Sequence, residues 1–338
     1  MTDYKTLKLI ATSSPHIRSP QTTQTIMLDV IIALMPALLF ACFNFGLRAL
    51  TVTAFSVAAC VFFEWLYRTL MHKPQSVGDL SCVVTGMLLA FVCPVQIPYW
   101  MILIGDFFAI VLVKQLFGGI GCNFVNPALA GRAALLASYA GTMTSWADPA
   151  AGRAAMIGST ADVITTATPL AMLKSGAVEE LMSKYDLTTM FVGGIPGSLG
   201  EVSAVALLLG GAYLLWRGVI NWHTPVCYIA TVAVLTFLFP RYGGNLDWMA
   251  YNLLGGGLLL GAFFMATDYA TSPVTKKGQV IFGVGCGLFT VLIRYFGSYN
   301  EGVCYSIMVM NCFVALIDRY TRPPRFGVVK SNGKEAAK

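Results

Sequence analysis

The residues with the clearest potential for chemistry form a short hydroxyl-rich segment, residues 162–170, in a chain that is otherwise strongly apolar. The segment contains one acid and three closely spaced threonines, and its relevant members are Asp162, Thr165, Thr166, Ala167 and Thr168. Pro169 biases Thr168 toward an extended backbone, and Ala167 adds little bulk beside it. A hydroxyl presented on such an uncrowded segment is accessible to an enzyme that esterifies it. The alternative is an ordinary Ser/Thr-rich loop with a turn at Asp162.

A second polar segment, residues 118–128, lies between two apolar runs. Its glycines and its proline interrupt a helix, and free backbone groups at membrane depth are tolerated only where they are buried in protein or line a cavity. Asn123 and Asn126 each offer a hydrogen-bond donor and an acceptor. This pairing suits the pyrimidine edge of a flavin, where C=O and N–H groups alternate. The alternative is a tight turn between helices with an asparagine cap.

A third polar segment, residues 265–278, closes another apolar run with an acid at the membrane edge and several hydroxyl groups. Thr267 and Asp268, together with Thr271 and Ser272, could bind a cation or the polar edge of a ring. The alternative is a capped turn between two helices.

Several charged residues lie in or at the ends of apolar runs, where the cost of a charge in the membrane makes each a candidate for function. Asp106 and Arg132 lie deepest, and they could instead pair with each other. Glu64, Asp79 and Arg294 lie near the ends of runs, where we expect them at the membrane interface.

Composition restricts the class of protein and the kind of cofactor. Of the 338 residues, 57% are hydrophobic and only 11% are charged, against roughly 25% charged in soluble proteins. The chain is therefore predicted to be a polytopic membrane protein, and no nucleic-acid partner is expected. The nine cysteines form no CxxC pair, which argues against a zinc site or a self-contained iron–sulfur cluster. The three histidines lie outside the apolar runs, so a membrane haem with two axial histidines is excluded and any redox cofactor should be organic.

Hydropathy predicts an all-α fold of about ten transmembrane helices. The predicted spans are 26–45, 49–69, 77–93, 98–117, 126–141, 199–217, 225–240, 250–267, 279–297 and 302–318. They divide the chain into an N-terminal segment, a first five-helix bundle, a long loop, a second five-helix bundle and a basic tail, at 1–25, 26–141, 142–198, 199–318 and 319–338.

The distribution of lysine and arginine predicts the orientation, since cytoplasmic loops carry an excess of both. Most of them fall on the side of the two termini, so both termini are predicted to be cytoplasmic, and the loop 142–198, with Thr168, is predicted on the outer face. The two halves also resemble each other weakly: segments 86–91 and 257–263 each open a span, and 114–118 and 294–297 each close one. Two such halves suggest an inverted repeat with a binding site near its interface.

Several sequence blocks, taken together in their order along the chain, resemble one family, the RnfD subunits of the Rnf electron-transport complex. These subunits are similar to the NqrB subunits of the sodium-pumping NADH:quinone reductase. The resemblance covers nearly the whole chain. It is carried by the blocks 14–16, 118–128, 162–170, 195–201, 266–273 and 310–320.

This resemblance implies that Thr168 carries FMN through a phosphoester bond, installed by a separate flavin transferase on the outer face. The family pattern is matched at Asp162, Thr165, Ala167 and Thr168, whereas Thr166 stands where glycine is usual. The resemblance also implies a second, non-covalent flavin between the helices, with riboflavin as the expected species.

For this second flavin the candidate residues are Asn123 and Asn126, with Thr267 and Asp268 as further cofactor-binding candidates; no catalytic or metal-binding residue is assigned. In the family, an RnfD protein works in the cell inner membrane with the RnfA, RnfB, RnfC, RnfE and RnfG proteins, especially the flavoprotein RnfG. Electrons run between reduced ferredoxin and NAD, and the energy released drives Na⁺ or H⁺ outward. The two flavins would form a relay across the membrane.

Two other functions fit parts of the pattern. Inverted five-helix repeats with broken helices also build solute channels and transporters, which have no redox role. A structural membrane scaffold that docks a flavoprotein is the other alternative. The threonine motif separates the redox subunit from both, because neither needs a modified hydroxyl.

Overall fold

The structure is a computed structural model that describes residues 14, 19, 21–147, 149, 167–242, 244–297, 299 and 301–323. Within these residues the regular elements are helices. The first half contains α1 (Thr23–Phe45), α2 (Leu47–Leu70), α3 (Ser81–Phe91), α4 (Tyr99–Phe107) with a π-helical continuation (Phe108–Gln115), α5 (Pro127–Ser138) and the short α6 (Ala140–Met143).

The remaining helices form a small connecting group and a second half. The connecting group contains α7 (Pro169–Ser175), α8 (Val178–Lys184) and α9 (Leu187–Val192). The second half contains α10 (Ala204–Trp216), α11 (His223–Leu238), α12 (Asn245–Leu254), α13 (Leu258–Leu260) with a π-helical continuation (Gly261–Met265), α14 (Lys276–Phe296) and α15 (Val303–Thr321).

The prediction of a polytopic membrane protein is confirmed in its general form. Among the described residues, four helices, α1, α2, α14 and α15, are long and apolar enough to cross a membrane, and α12 with the segment through Met265 makes a fifth if this pair, bent by 60°, is one span. Large apolar side chains also face outward along the helices, as expected where lipid replaces water; examples are Leu39, Phe43, Leu209, Trp216 and Phe296. A helix lies in each of the ten predicted spans, but ten membrane crossings stay a prediction.

Two helix packings join the halves of the molecule. Helix α1 packs on α10, and α5 packs on α15. The first contact is very close at Gly210, where a Cβ atom would lie 2.2 Å from the backbone oxygen of Ala33. Only glycine allows two helix backbones to approach so closely, a device that is common in membrane helices.

The connecting group is held against α12 by a small core of its own. Its buried side chains include Met172, Leu173, Leu181 and Met190, which pack with Trp248 and Tyr251 of α12. The Tyr251 hydroxyl donates to the backbone oxygen of Tyr185 (2.9 Å), and Lys174 Nζ donates to the backbone oxygen of Gly297 (2.6 Å). Residues 167–198 are therefore folded onto the second half.

The helix breaks supply the irregular backbone that a binding site within a bundle needs. Between α12 and α13, Gly256 and Gly257 adopt φ values of 70° and 66°, a region that L side chains rarely enter. The π-helical segments after α4 and α13 are a second irregularity, and such segments are frequent at functional sites. Each π-helix ends at a polar segment that borders a cavity where the two halves meet.

Candidate functional site

A cavity with a volume of about 420 Å³, named the larger cavity, lies where the two halves meet. Its walls come from the N-terminal ends of α1 and α3, the segment 120–128, the C-terminal end of α10 and the turn after residue 265. The cavity brings together Asn123, Asn126, Thr267 and Asp268, the four residues that the sequence singled out in two distant segments. Most of its other walls are apolar.

Asn126 borders this cavity and also caps α5. Its side-chain oxygen accepts from the backbone nitrogens of Ala128 (3.0 Å) and Leu129 (3.5 Å). Its amide nitrogen donates to the backbone oxygen of Met265 (3.3 Å), across 139 residues of sequence. Both polar atoms of Asn126 thus hold the wall together, so Asn126 is a helix cap, as the alternative interpretation predicted, and it also borders the cavity.

The other three predicted residues, Asn123, Thr267 and Asp268, differ in which polar atoms they offer to a ligand. Asn123 Nδ2 donates to the backbone oxygen of Val125 (3.1 Å), and its side-chain oxygen has no partner among the residues described here. The Thr267 hydroxyl donates to the backbone oxygen of Phe263 (2.6 Å), and Asp268 accepts from the Thr271 hydroxyl (3.0 Å). Asp268 lies in the turn beyond the span, where burial raises the pKa of its carboxyl. The arrangement therefore offers a ligand more hydrogen-bond acceptors than donors.

A buried ion pair borders the same cavity. Lys114 Nζ lies 2.7 Å from Glu64 Oε2, and the two side chains are 4% and 0% exposed. Lys114 also donates to the Ser81 hydroxyl (2.6 Å), and the Ser76 hydroxyl donates to Glu64. Glu64 is therefore buried within the protein, and its position at the membrane interface stays a prediction. Two polar turns, one after α2 and one at the start of α3, supply the hydroxyl groups that permit this burial.

A smaller cavity, of about 120 Å³, contains Thr168 and its neighbour Ala167. Thr168 has the predicted extended backbone (φ −67°, ψ 154°), and its side-chain oxygen accepts from the backbone nitrogen of Ala171 (3.2 Å) as the N-cap of α7. The residue is only 8% exposed, so the expectation of an uncrowded hydroxyl is wrong. Burial follows because Pro169 and Leu170 pack inward. Asp162 and Thr165 lie outside the described residues.

The charged residues beside Thr168 show which acid Arg132 binds. Arg132 forms an ion pair with Glu301, not with Asp106, and both partners line the smaller cavity. The Nε of Arg132 is buried without a hydrogen-bond partner among the described residues. Arg294 is also buried, with 4% of its surface exposed, and its position at the membrane interface likewise stays a prediction. The ion pair joins α5 to the start of α15, which sequence spacing does not reveal.

Two aromatic residues that sequence reasoning did not single out also line this cavity. Tyr299 and Tyr305 stack with ring centroids 5.3 Å apart and an interplanar angle of 29°. The only feature of the sequence that could have indicated them is the presence of aromatic residues near the start of the last apolar run. No group of three or more His, Cys, Asp and Glu side chains suitable for a metal ion occurs in the described part of the chain.

Helix α5 connects the two cavities. Asn126 and Ala128 border the larger cavity, and Arg132 and Leu136 border the smaller one. Ala128 and Arg132 are one helical turn apart, which corresponds to ~6 Å along the axis. The two sites predicted from separate motifs therefore lie at opposite ends of one helix.

Comparison with known proteins shows a match to the NQR2, RnfD, RnfE family over residues 10–327. The chain is 49% identical over 324 residues to the D subunit of the Na⁺-translocating ferredoxin:NAD⁺ oxidoreductase complex of Acetobacterium woodii, covering 96% of this chain and 97% of that relative. It is 43% identical over 321 residues to the D subunit of the proton-translocating ferredoxin:NAD⁺ oxidoreductase complex of Clostridium ljungdahlii, covering 93% and 95%. The D subunit of the ion-translocating oxidoreductase complex of Actinobacillus succinogenes is 35% identical over 345 residues, covering 92% and 96%. The resemblance to the RnfD subunits of the Rnf complex is confirmed, and the chain belongs to the NQR2, RnfD, RnfE family.

Proposed function

We propose that this chain is the RnfD membrane subunit of an ion-translocating ferredoxin:NAD⁺ oxidoreductase complex, in which it holds two flavins that relay electrons. The names of its relatives support the complex and the reaction. The observation that carries the relay is the position of the two predicted cofactor sites at opposite ends of α5. When bound, the flavins would accept and pass on single electrons or pairs of electrons, and the chain would fix the distance between them.

The larger cavity suits a non-covalent flavin without a phosphate group. Its volume of about 420 Å³ lies within the range of roughly 300–1,000 Å³ that is usual for cofactor and ligand pockets. Phe263 and Phe264 contribute apolar surface for a flat ring, and Asn123 offers an acceptor for a ring N–H group. The cation that borders the cavity, Lys114, is already neutralised by Glu64. A neutral riboflavin therefore fits this cavity better than FMN does.

The smaller cavity suits the phosphate end of a flavin attached to Thr168. Forming the ester removes the hydroxyl proton of Thr168 and leaves lone pairs on its oxygen, so the bond from Ala171 can persist. The unpartnered Nε of Arg132 offers a donor to a phosphate oxygen. At about 120 Å³ the cavity is too small for a flavin ring. The ring would extend beyond this chain, where the flavoprotein RnfG is the proposed neighbour.

The burial of Thr168 implies a step before modification. A flavin transferase must reach an oxygen that belongs to a residue only 8% exposed and that caps α7. Local opening of α7, a helix of one to two turns, would expose the hydroxyl. The segment that precedes Thr168, with Asp162 and Thr165, would then bind in the transferase.

The proposed arrangement in the membrane has ten crossings in two inverted five-helix halves, in the cell inner membrane. Both termini would be cytoplasmic and the Thr168 segment on the outer face, as the distribution of lysine and arginine indicates. The packing pattern supports equivalent halves, since α2 contacts α4 and α4 contacts α5 in the first half, as α11 contacts α14 and α14 contacts α15 in the second. The two cavities would then face opposite sides of the membrane.

Flavin fluorescence of the denatured chain tests the covalent site. The chain is expressed with and without a flavin transferase, alone and as Thr168→Ala, Thr165→Ala and Thr166→Ala variants. We expect fluorescence that survives denaturation, needs the transferase and is lost only in the Thr168→Ala variant. Absence of fluorescence in the unmodified sequence, with the transferase active on a control substrate, would refute the covalent flavin and favour the transporter alternative.

Extraction of non-covalent flavin from the purified complex tests the larger cavity. Asn123→Ala removes the free acceptor, and we expect the riboflavin content per chain to fall at least several-fold. The control is Asn44→Ala, which changes a buried asparagine of α1 whose amide bonds to Phe40 of its own helix, away from the cavity. Equal flavin content in the two variants would show that Asn123 does not contact the ligand.

A further inference from the structure

Asp106 is a fully buried acid that has no role in the proposed electron relay. It lies near the end of α4 and is 0% exposed. Among the described residues, the ion pairs are Lys114–Glu64, Arg132–Glu301 and Arg217–Asp29, so the neighbouring cations are bound to other acids. Asp106 therefore lies in the interior of the first half without a countercharge, where an ionised carboxylate is very costly.

The hydrogen bonds around Asp106 indicate which form of the carboxyl is present. The Ser56 hydroxyl oxygen lies 2.7 Å from Asp106 Oδ1 and 3.0 Å from the backbone oxygen of Gly86. A hydroxyl has one hydrogen, so Ser56 cannot donate to both oxygens at once. If Asp106 carries a proton on Oδ1, it donates to Ser56, and Ser56 donates to Gly86. Both short contacts are then hydrogen bonds.

The second carboxyl oxygen supports the same conclusion. Asp106 Oδ2 is buried and has no hydrogen-bond partner in the described part of the chain. In a carboxylate this oxygen would carry half of a negative charge with nothing to stabilise it. In a neutral acid it is an uncharged carbonyl oxygen, for which burial without a partner costs much less.

A column of polar side chains leads from Asp106 toward the larger cavity. Ser56, Cys60 and Glu64 recur every fourth residue on α2 and so share one face of that helix. The Cys60 thiol donates to Asp106 Oδ1 (3.2 Å), and one turn farther Glu64 binds Lys114, which borders the cavity. Asp106 and Lys114 are eight residues apart on the continuous helical run of α4 and its π-helical continuation. Between them lies the buried Ile110, packed with Cys60 and Cys82.

We propose that Asp106 is a proton-binding site: a neutral carboxylic acid that reversibly releases its proton along this column to water in the larger cavity. The proton leaves Oδ1, and the bonding electrons stay on the carboxylate. The Ser56 hydroxyl then turns from Gly86 to donate to Asp106, and the Cys60 thiol continues to donate. The same contacts thus serve both forms. This proposal does not rest on either flavin.

The groups that face Asp106 from its neighbours are compatible with this role. Helix α2 contributes Cys60, α3 and the turn after it contribute Cys82 and Cys93, and these thiols are buried. Helix α5 contributes Arg132, whose charge is held by Glu301. The titratable group in contact with Asp106 is therefore the Cys60 thiol, and the cations nearby are paired with other acids.

Carbon-13 NMR of the full chain in lipid, labelled at the aspartate side-chain carboxyl carbon, tests the proposal directly. At neutral pH we expect a resonance at the neutral-acid position that disappears in Asp106→Asn and remains in the control Asp29→Asn. Asp29 is the matched control because its carboxylate is bound to Arg217 near the surface. A spectrum with all aspartates ionised, or a set of neutral-acid resonances that Asp106→Asn leaves unchanged, would overturn the proposal.

Two hydroxyl variants keep the test decisive if Asp106→Asn does not fold. Ser56→Ala removes the partner of the acid and should shift the neutral-acid resonance. Thr53→Ala should leave it unchanged, because the Thr53 hydroxyl, one turn earlier on α2, bonds to Ala49 of its own helix. An equal spectrum for Ser56→Ala and the unmodified chain would contradict the assignment of the proton to Asp106.

Discussion

The buried ion pair between Lys114 and Glu64 permits a quantitative test of how charge is accommodated in the first half. The two side chains are 4% and 0% exposed, and the charged atoms are 2.7 Å apart. Removing one partner of such a pair leaves the other charge buried and costs roughly 3–5 kcal/mol. The hydroxyls of Ser76 and Ser81 remain and compensate in part. We therefore expect Lys114→Met to lower the free energy of unfolding by about 3 kcal/mol.

The double variant separates the pair energy from other effects. Lys114→Met combined with Glu64→Gln removes both charges, so it should cost less than the sum of the two single variants. We expect a coupling energy of ~2 kcal/mol or more, within the range found for contacting buried groups. The measurement is reversible unfolding of the purified chain in mixed micelles, followed by circular dichroism.

A more exposed ion pair in the same chain provides the control. Arg217 and Asp29 are 3.2 Å apart, but their side chains are 49% and 12% exposed. Solvent screening should limit the cost of Arg217→Met to about 1 kcal/mol or less. The reasoning fails if Lys114→Met costs no more than Arg217→Met, or if the effects of Lys114→Met and Glu64→Gln simply add.

Two further predictions concern helix contact and the pH dependence of a cap. Gly210→Ala should destabilise the chain by about 1–3 kcal/mol, as overpacking does. Gly141→Ala should cost far less, because nothing lies within 4 Å of a Cβ atom there. Thermal unfolding of both variants measures these costs, and equal costs would contradict the close contact of α1 and α10. The hydrogen bond from the Thr188 hydroxyl, with those from backbone nitrogens, lowers the pKa of Asp186, the N-cap of α9. The resulting stability of α9 is present above the unfolded pKa of about 4 and is lost as pH falls through the lower pKa of the folded state. Hydrogen exchange of α9 should show this loss in the unmodified chain and not in Asp186→Asn. The same pH dependence in both proteins would refute the role of Asp186.

The sequence by itself determined the membrane class, the positions of the helices and the segments that carry the site. These properties are local: an apolar run long enough to span the bilayer, or a glycine-rich break between two runs, is visible within about twenty residues. The segments 118–128 and 265–278 were predicted separately for this reason. Sequence also indicated the extended backbone at Thr168, because Pro169 restricts the residue before it.

Tertiary structure decided which of these residues meet and which of their atoms remain available. Asn126 lies beside Met265 although 139 residues separate them, and Arg132 binds Glu301 across 169 residues. Asp106 does not pair with Arg132, the alternative that the sequence left open, because a deep position in two apolar runs does not specify which helices pack together. The burial of Thr168 likewise depends on how α7 packs, so only the fold shows that its hydroxyl caps a helix.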